Sequence, residues 1–252
     1  MKLLIALATY NRPGITAVCL ENLQLIRDPA RVRLVVYDDA SVAYSARYLS
    51  TLTDEVVRFE RTGGIERSRA RAFRDFIYRF TDYDLLYLTD NDTVHDPQFV
   101  DYLLHTFECQ IRSGSVSPMG LFNSVFHRQS LLAKYEGFNI SSTCPGISQC
   151  YTRDMAQKIV EYLNTDPLME SRFGWDYRWP QILREPFLIS TTSYVEHFAR
   201  DVMEGGIHCE LSGTDLESFL RDFERDRAVN PSQYLIDCRD DVIDRVMAAA
   251  RA

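Results

Sequence analysis

Apolar residues along this chain fall into short unbroken runs, each stopped by polar side chains, and between the runs they recur at helical spacing. Residues 3–8 (Leu3-Leu4-Ile5-Ala6-Leu7-Ala8) and 33–37 (Arg33-Leu34-Val35-Val36-Tyr37) read as strands buried on both faces, because a half-buried strand would alternate instead. Between them, from Pro13 to about Ile26, the residues Ile15, Val18, Cys19, Leu23 and Ile26 share one helical face, and Pro13 suits a first turn. Strand, helix, strand at this spacing is a βαβ unit. It predicts parallel strands with ligands beyond their carboxyl ends.

The pattern continues with a short strand at Val56-Val57-Arg58-Phe59 and a helix to about Phe80, striped by Ile65, Phe73, Phe76, Ile77 and Phe80. A third apolar run starts at Leu85, and a helix covers Pro97 to about Ile111. Residues 112–150 are the least regular, with strands read near Val116 and over Leu121–Phe126, then an excursion and a glycine-containing turn before Ser148–Tyr151. Helices follow from about Arg153 to Leu163 and from Trp175 through Leu183, then a strand at Phe187–Ser190. The tail opens on a capping box at Thr214 and Glu217, with Leu216, Phe219, Leu220 and Phe223 behind it. After Asn230-Pro231 a last amphipathic helix carries Val242, Ile243, Val246 and Met247, a face that could dock on the domain, a second subunit or a membrane surface. The aspartates on its polar side disfavour the membrane. The fold class is therefore α/β, a mixed, mainly parallel sheet flanked by helices, with a helical C-terminal appendage.

Chemistry gathers where the runs stop. Leu85-Leu86-Tyr87-Leu88-Thr89 ends in Asp90-Asn91-Asp92, and at a strand end residues i and i+2 point to one side, so both carboxylates can converge. Two anionic oxygens that close call for Mg²⁺ or Mn²⁺ with substrate phosphates; a helix cap near Pro97 is the plainer alternative. Thr9, Tyr10, Asn11 and Arg12 end the first run, and Asp38, Asp39 and Ser41 the second, where a simple turn would use the same residues. Arg69 lies inside the apolar stripe of its helix, so it needs an anionic partner: Asp38 or Asp39, or a nucleotide's phosphate or base edge. Asp176 sits among Trp175, Tyr177 and Trp179, which suits a hydroxyl-rich ring that stacks on one side and donates to the acid, though an N-cap among core tryptophans reads the same. His197 follows the strand at Phe187–Ser190 and by itself would be an ordinary hydrogen-bonded histidine.

Composition narrows the partners. At 252 residues the chain is long enough for one large α/β domain or two small ones, and a net charge of −8 argues against a nucleic-acid or anionic-membrane surface. The apolar start resembles a signal peptide but is short and lacks a small-residue cleavage pattern, so it reads as a first strand, and no run reaches membrane-spanning length. Six widely spread cysteines, with no C-x-x-C pair, suggest neither zinc nor a disulfide framework; reduced thiols and a cytoplasmic protein are expected.

These motifs, in this order, resemble a GT-A glycosyltransferase of the large family 2 type, over roughly residues 1–200. Ala8-Thr9-Tyr10-Asn11-Arg12-Pro13 is similar to its first strand and donor-base loop, Tyr37-Asp38-Asp39-Ala40-Ser41 to its D-D-x-S element, and Gly64-Ile65-Glu66-Arg67-Ser68-Arg69 to its G-x-x-x-A-R segment. Asp90-Asn91-Asp92 matches the D-x-D, Trp175-Asp176 stands where the family has its catalytic base, and His197 where many GT-A enzymes supply a further metal ligand. The departures are Ser68 for the usual Ala, Ala70 for the usual Asn, and no E-D pair before Tyr177.

The resemblance implies a GT-A domain over 1–210 (donor half about 1–95, acceptor half about 96–210) and an appendage over 211–252 packed on it. It implies transfer of a sugar, with inversion, from a nucleoside diphosphate sugar (a UDP-sugar first) to a saccharide or glycoconjugate hydroxyl, as in polysaccharide biosynthesis. Donor contacts would be Thr9, Tyr10, Asn11, Arg12, Asp38, Asp39, Gly64, Arg69, Asp90 and Asn91; metal ligands Asp90, Asp92 and His197; the base Asp176; acceptor contacts Trp175, Tyr177 and Trp179. A homodimer through the C-terminal helices and a peripheral membrane contact stay open. Two rivals remain at this stage: a haloacid-dehalogenase-type phosphatase with Asp90 as nucleophile, from the D-x-D-x-[TV] reading of Asp90 to Val94, and a non-catalytic carbohydrate-binding relative.

Overall fold

The computed structural model describes residues 1–124, 131–165, 175–198, 224 and 227–251; at Trp175, Asp176 and Tyr177 the description covers the backbone. The first βαβ unit is β1 (Leu3–Thr9), α1 (Pro13–Ile26) and β2 (Val32–Asp38). A single helical turn, α2 (Ala46–Leu49), leads to β3 (Glu55–Arg58), α3 (Ile65–Tyr78) and β4 (Leu85–Asp90). These four strands are parallel and ordered β3-β2-β1-β4. Their apolar runs are continuous because both faces are covered. Leu3, Ile5, Leu7, Leu85 and Tyr87 join one core cluster, while their neighbours Leu4, Ala6, Leu86 and Leu88 join another. The first cluster lies against α1 and α4 (Phe99–Ser113), the second against α3, α5 (Arg153–Thr165) and α6 (Trp175–Leu183).

Beyond β4 the sheet turns mixed. With β6 (Met119–Gly120), β7 (Leu131–Lys134), β8 (Phe138–Ser141), β9 (Ser148–Thr152) and β10 (Phe187–Ser190), the order continues β9-β6-β10-β8-β7. β9 is antiparallel to β4 and β6, β10 is parallel to β6, and β8 and β7 add an antiparallel hairpin at the edge. The hairpin was not expected from the pattern. Its three-residue loop ends on Gly137 at φ +85, the left-handed position such loops need. The strand expected over Leu121–Phe126 does not form in its described part. The Leu121 N–H goes to the Ser148 hydroxyl and its carbonyl accepts from Tyr194, leaving the ladder after Gly120. Val116 likewise precedes, and is not part of, β6.

β4 and the residues after it part company at Asp90. Asn91 and Asp92 turn, and β5 (Thr93–His95) pairs instead with β11 (Val195–His197) in a separate two-stranded ribbon. Asn22 on α1 fixes that exit: its side chain donates to the His95 carbonyl at 3.1 Å and accepts the His95 N–H at 2.8 Å. The C-terminal helix divides into α7 (Gln233–Asp237) and α8 (Arg239–Arg251). Val242, Ile243, Val246 and Met247 pack with Ile15 and Val18 of α1, so the face that suggested a second subunit or a membrane is covered by the chain's own domain. Thr214, Glu217, Leu216, Phe219, Leu220 and Phe223 lie outside the described residues. Among the described residues no helix is long and apolar enough to cross a membrane, and Cys144 and Cys150 are both free.

The His95 ring is buried between Tyr87 and Phe99, 3.2 Å from the Tyr87 hydroxyl, and burial drives its pKa down to about 3. An unfolded chain, with a histidine value near 6.5, therefore binds the proton first as pH falls. The stability that the neutral ring contributes is complete above about pH 6.5 and is lost below it. Unfolding free energy should drop by about 2 kcal/mol between pH 7 and pH 5 on this account. Urea titrations of wild type and His95→Phe at both pH values check it; an equal drop in the two would clear His95 of the effect.

Candidate active site

The strand order reverses at β1, which has β2 on one side and β4 on the other. At such a switch point connections leave in opposite directions and open a crevice beyond the carboxyl ends. Thr9 and Asp90 end the two flanking strands, so the polar residues noted in the sequence converge there because the topology puts them there.

The loop after β1 is held in an unusual backbone. Asn11 and Arg12 both take positive φ, 53° and 61°, and Ala40 in the loop after β2 takes 62°. Non-glycine residues in this region are sterically disfavoured and persist where surrounding contacts fix them. Here the Asn11 carbonyl oxygen of the side chain accepts from Val42 and Ala43 amides, and the Asn11 N–H donates to Ser41 Oγ at 2.7 Å. Arg12 extends to Asp92 Oδ2 at 2.9 Å and to Asn91 Oδ1 at 3.3 Å. Asn91 returns the bond, donating to Thr9 Oγ1 at 3.0 Å and Thr16 Oγ1 at 2.7 Å, and Thr9 also meets the Tyr44 hydroxyl. Thr9 and Asn91 are therefore spent inside a buried network.

Four expectations need correcting. Asp38 is 0 % exposed, accepts from the Ser41 amide and hydroxyl and pairs with Arg58 at 3.2 Å, so it braces its loop and does not face a donor. Asp39 gives its two oxygens to the amides of Gly63 and Gly64, both at 2.8 Å, which fixes the start of α3 with Gly64 at φ +88. Arg69 is buried, as its place in the stripe required, but its partner is Asp90, at 3.1 and 3.2 Å, and neither Asp38 nor Asp39. Trp179 is 0 % exposed and packs edge-on to Phe73 with centroids 5.9 Å apart, so it is a core residue and not an acceptor contact. Ala70 is also fully buried, in the core against β1 and β4.

β4 stops at Asp90 and the chain turns, so the two D-x-D carboxylates meet different partners. They separate in role. Asp90 is pushed up by burial, only partly offset by Arg69, with Asp92 adding to the rise. Burial pulls Asp92 the same way, yet His197 and Arg12 outweigh it and hold it at about 2. His197 arrives by register: it lies opposite Thr93 in the ribbon, Phe198 N–H bonds the Asp92 carbonyl at 2.9 Å, and His197 Nε2 stands 3.3 Å from Asp92 Oδ1.

Among the described residues there is no group of three or more His, Cys, Asp or Glu that could hold a metal ion. A two-donor grip still fits Mn²⁺ or Mg²⁺, ions that take one or two carboxylates and complete their shell with phosphate oxygens and water. Asp92 Oδ1 is buried without a hydrogen bond and lies 3.3 Å from the imidazole nitrogen, close enough for the two atoms to serve as adjacent donors to one cation. Asp90, clamped by Arg69, is not placed as a third ligand. Tyr10 is half-buried at the rim, and Asp176 heads α6 with Trp175 and Tyr177; those three side chains lie outside the described residues. Thr16, Asn22 and Tyr44 were missed in the sequence. Thr16 and Asn22 carried a readable signal, polar residues on the buried face of α1.

Fold and crevice together are those of a GT-A fold. Residues 4–117 match the family model described as Glycosyl transferase family 2. The chain is similar in fold to S. aureus TarS. The likeness to TarS 1-349 in complex with UDP-GlcNAc has TM-score 0.60 at 15% identity, covering 88% of this chain and 64% of that one. To TarS 1-349 alone it has TM-score 0.56 at 14%, covering 77% and 60%, and to the longer TarS chain 0.56 at 15%, covering 77% and 36%. The chain thus spans less than two thirds of these relatives' length. No curated protein matches its sequence.

Asn91 satisfies Thr9, Thr16 and Arg12 at once. Asn91→Ala should leave these buried groups without partners and cost about 2–3 kcal/mol. Chemical denaturation at neutral pH measures it, and a loss no larger than that of an exposed substitution would show the network to be slack.

Proposed function

We propose that the chain is a glycosyltransferase that moves a sugar from a nucleoside diphosphate sugar, a UDP-sugar first, to a hydroxyl of a saccharide or glycoconjugate. The observation that carries this reading is the buried Asp92 oxygen, without a hydrogen bond, that lies 3.3 Å from His197 at the β1–β4 switch point. The family match over residues 4–117 and the fold shared with TarS support it. Asp92 and His197 would hold Mn²⁺ or Mg²⁺ against the diphosphate. The ion supplies positive charge as the leaving group gains negative charge. Arg12 holds Asp92 in place, Arg69 holds Asp90, and Tyr10 and the loop after β2 flank the nucleotide. Asp176, at the head of α6, takes the proton of the attacking hydroxyl, and attack from the face opposite the leaving group gives inversion. Free cysteines among the described residues (Cys19, Cys109, Cys144, Cys150 and Cys238) accord with a reducing, cytoplasmic setting.

The phosphatase rival loses its nucleophile, since both Asp90 oxygens are held by Arg69 and the motif follows the fourth strand of a GT-A sheet. Slow metal-dependent hydrolysis of a UDP-sugar by the purified chain would separate an enzyme from a binding relative.

Thermal unfolding with UDP or GDP, with and without Mn²⁺, tests the donor site, because a ligand bound only to the folded state raises Tm. The Mn²⁺-dependent part of the shift should vanish in Asp92→Asn; if neither nucleotide shifts the wild type, glycosyl transfer is the wrong activity. Asp176→Asn should keep the nucleotide shift while turnover falls on the order of 10²–10⁴-fold. Near-normal turnover in that variant would remove Asp176 as base.

A further inference from the structure

Beside the Asp92–His197 pair, a cavity of about 330 Å³ opens at the carboxyl ends of β6 and β10. Phe122 lines it and packs edge-on to His197 with centroids 6.2 Å apart, so the cavity begins one side chain from the site. Register builds its wall. Lys134 on β7 stands opposite Asn139 on β8, and Asn139 opposite Ile189 on β10, one row across three strands. A row of this kind presents its side chains on one face of the pleat. All three line the cavity, joined by Ser141 and Thr191, each two residues further along.

The chemistry of this wall is one-sided. Among the described residues Lys134 is the only ionisable side chain lining it, set among hydroxyls, amides and a few apolar groups, with no carboxylate. Neither the Lys134 ammonium nor the Asn139 amide has a side-chain partner among the described residues. In a chain of net charge −8, a cation without a counter-ion at the mouth of a polar cavity selects for an anion. A cavity near the small end of the usual ligand range suits one sugar unit better than a long chain.

We infer that this cavity receives the acceptor, and that the acceptor is a hydroxyl-rich sugar unit bearing a carboxylate or phosphate bound by Lys134 and Asn139. The word acceptor rests on the glycosyl-transfer reading; the anionic sugar rests on the cavity itself. Phe122 places the bound unit beside the Asp92–His197 pair. Lys134 is a specificity residue, exposed on an edge strand, so changing it spares the core.

The test follows thermal unfolding of the full chain with UDP and Mn²⁺ present and glucose, glucuronate or glucose 6-phosphate added, in wild type, Lys134→Gln and Lys134→Arg. An anionic sugar should raise Tm more than glucose does. Its apparent affinity should fall roughly three- to tenfold in Lys134→Gln and be retained in Lys134→Arg. A larger shift with glucuronate identifies a carboxylate, and with glucose 6-phosphate a phosphate. Equal shifts from neutral and anionic sugars in the wild type, or a preference that survives Lys134→Gln, overturn the proposal. The UDP shift, expected to be the same in all three proteins, reports separately on the donor reading. Its absence would sink that reading, while a Lys134-dependent preference would still establish the anionic-sugar cavity.

Discussion

Arg12 reaches from the end of β1 to Asp92 beyond β4, and this buried ion pair of 2.9 Å spans the crevice on which the rest of the site depends. Both partners lie in backbone that needs holding: Arg12 follows Asn11 in the left-handed region, and Asp92 sits in the turn after β4. Such a pair is weak evidence of stability in itself, because desolvating both charges offsets most of their attraction. Its consequence is positional. With Asn91 tied to Thr9 and Thr16 in the same network, the loops after β1 and β4 can meet in one arrangement, and Asp92 Oδ2 is occupied while Oδ1 is left facing His197.

What could be read from the sequence follows from what kind of signal each feature leaves. Continuous runs such as Leu3–Ala8 and Leu85–Thr89 announce strands covered on both faces, and they formed β1 and β4 in the expected parallel sheet. Arg69 announced its burial by falling on the apolar stripe. Its partner could not be read, because Asp38, Asp39 and Asp90 stand at the ends of the two strands that flank β1 and only the packing of α3 selects among them. The same limit applies to Trp179: an indole beside Asp176 reads equally as a stacking surface or a core residue, and tertiary contact with Phe73 makes it core. The β7–β8 hairpin escaped because its strands are short, Leu131–Lys134 and Phe138–Ser141, and half-exposed at the sheet edge. Only Gly137 marked its turn.

The ribbon of β5 and β11 shows how distant residues become one site without a sequence motif. Asn22 imitates a strand's hydrogen bonding toward His95, which sets β5; β11 then pairs in a fixed register, and His197 comes to rest beside Asp92. A one-residue slip in that pairing would turn His197 to the other face. The position of the imidazole is thus decided by Asn22 on α1, more than a hundred residues away in sequence. That dependence also explains why the apolar contact of α8 with Ile15 and Val18 bears on the site, since it presses α1, and Asn22 with it, onto the domain.

Charge closes the argument. Among the described residues, Arg12, Arg58 and Arg69 around the crevice are all matched by aspartates, on a chain whose net charge is −8. A diphosphate entering there would meet neutralised side chains, and releasing an arginine for it would strand a buried carboxylate at a cost of several kcal/mol. On the proposed reading a divalent ion resolves this, because it would add positive charge at Asp92 without breaking the Arg12–Asp92 or Arg69–Asp90 pairs. The depressed pKa of Asp92, about 2, keeps that carboxylate ionised to receive it, while Asp90, pushed the other way, stays with Arg69. The two acids of one short motif are therefore divided between ligand and brace, and it is the end of β4 at Asp90, not the motif's spacing, that divides them.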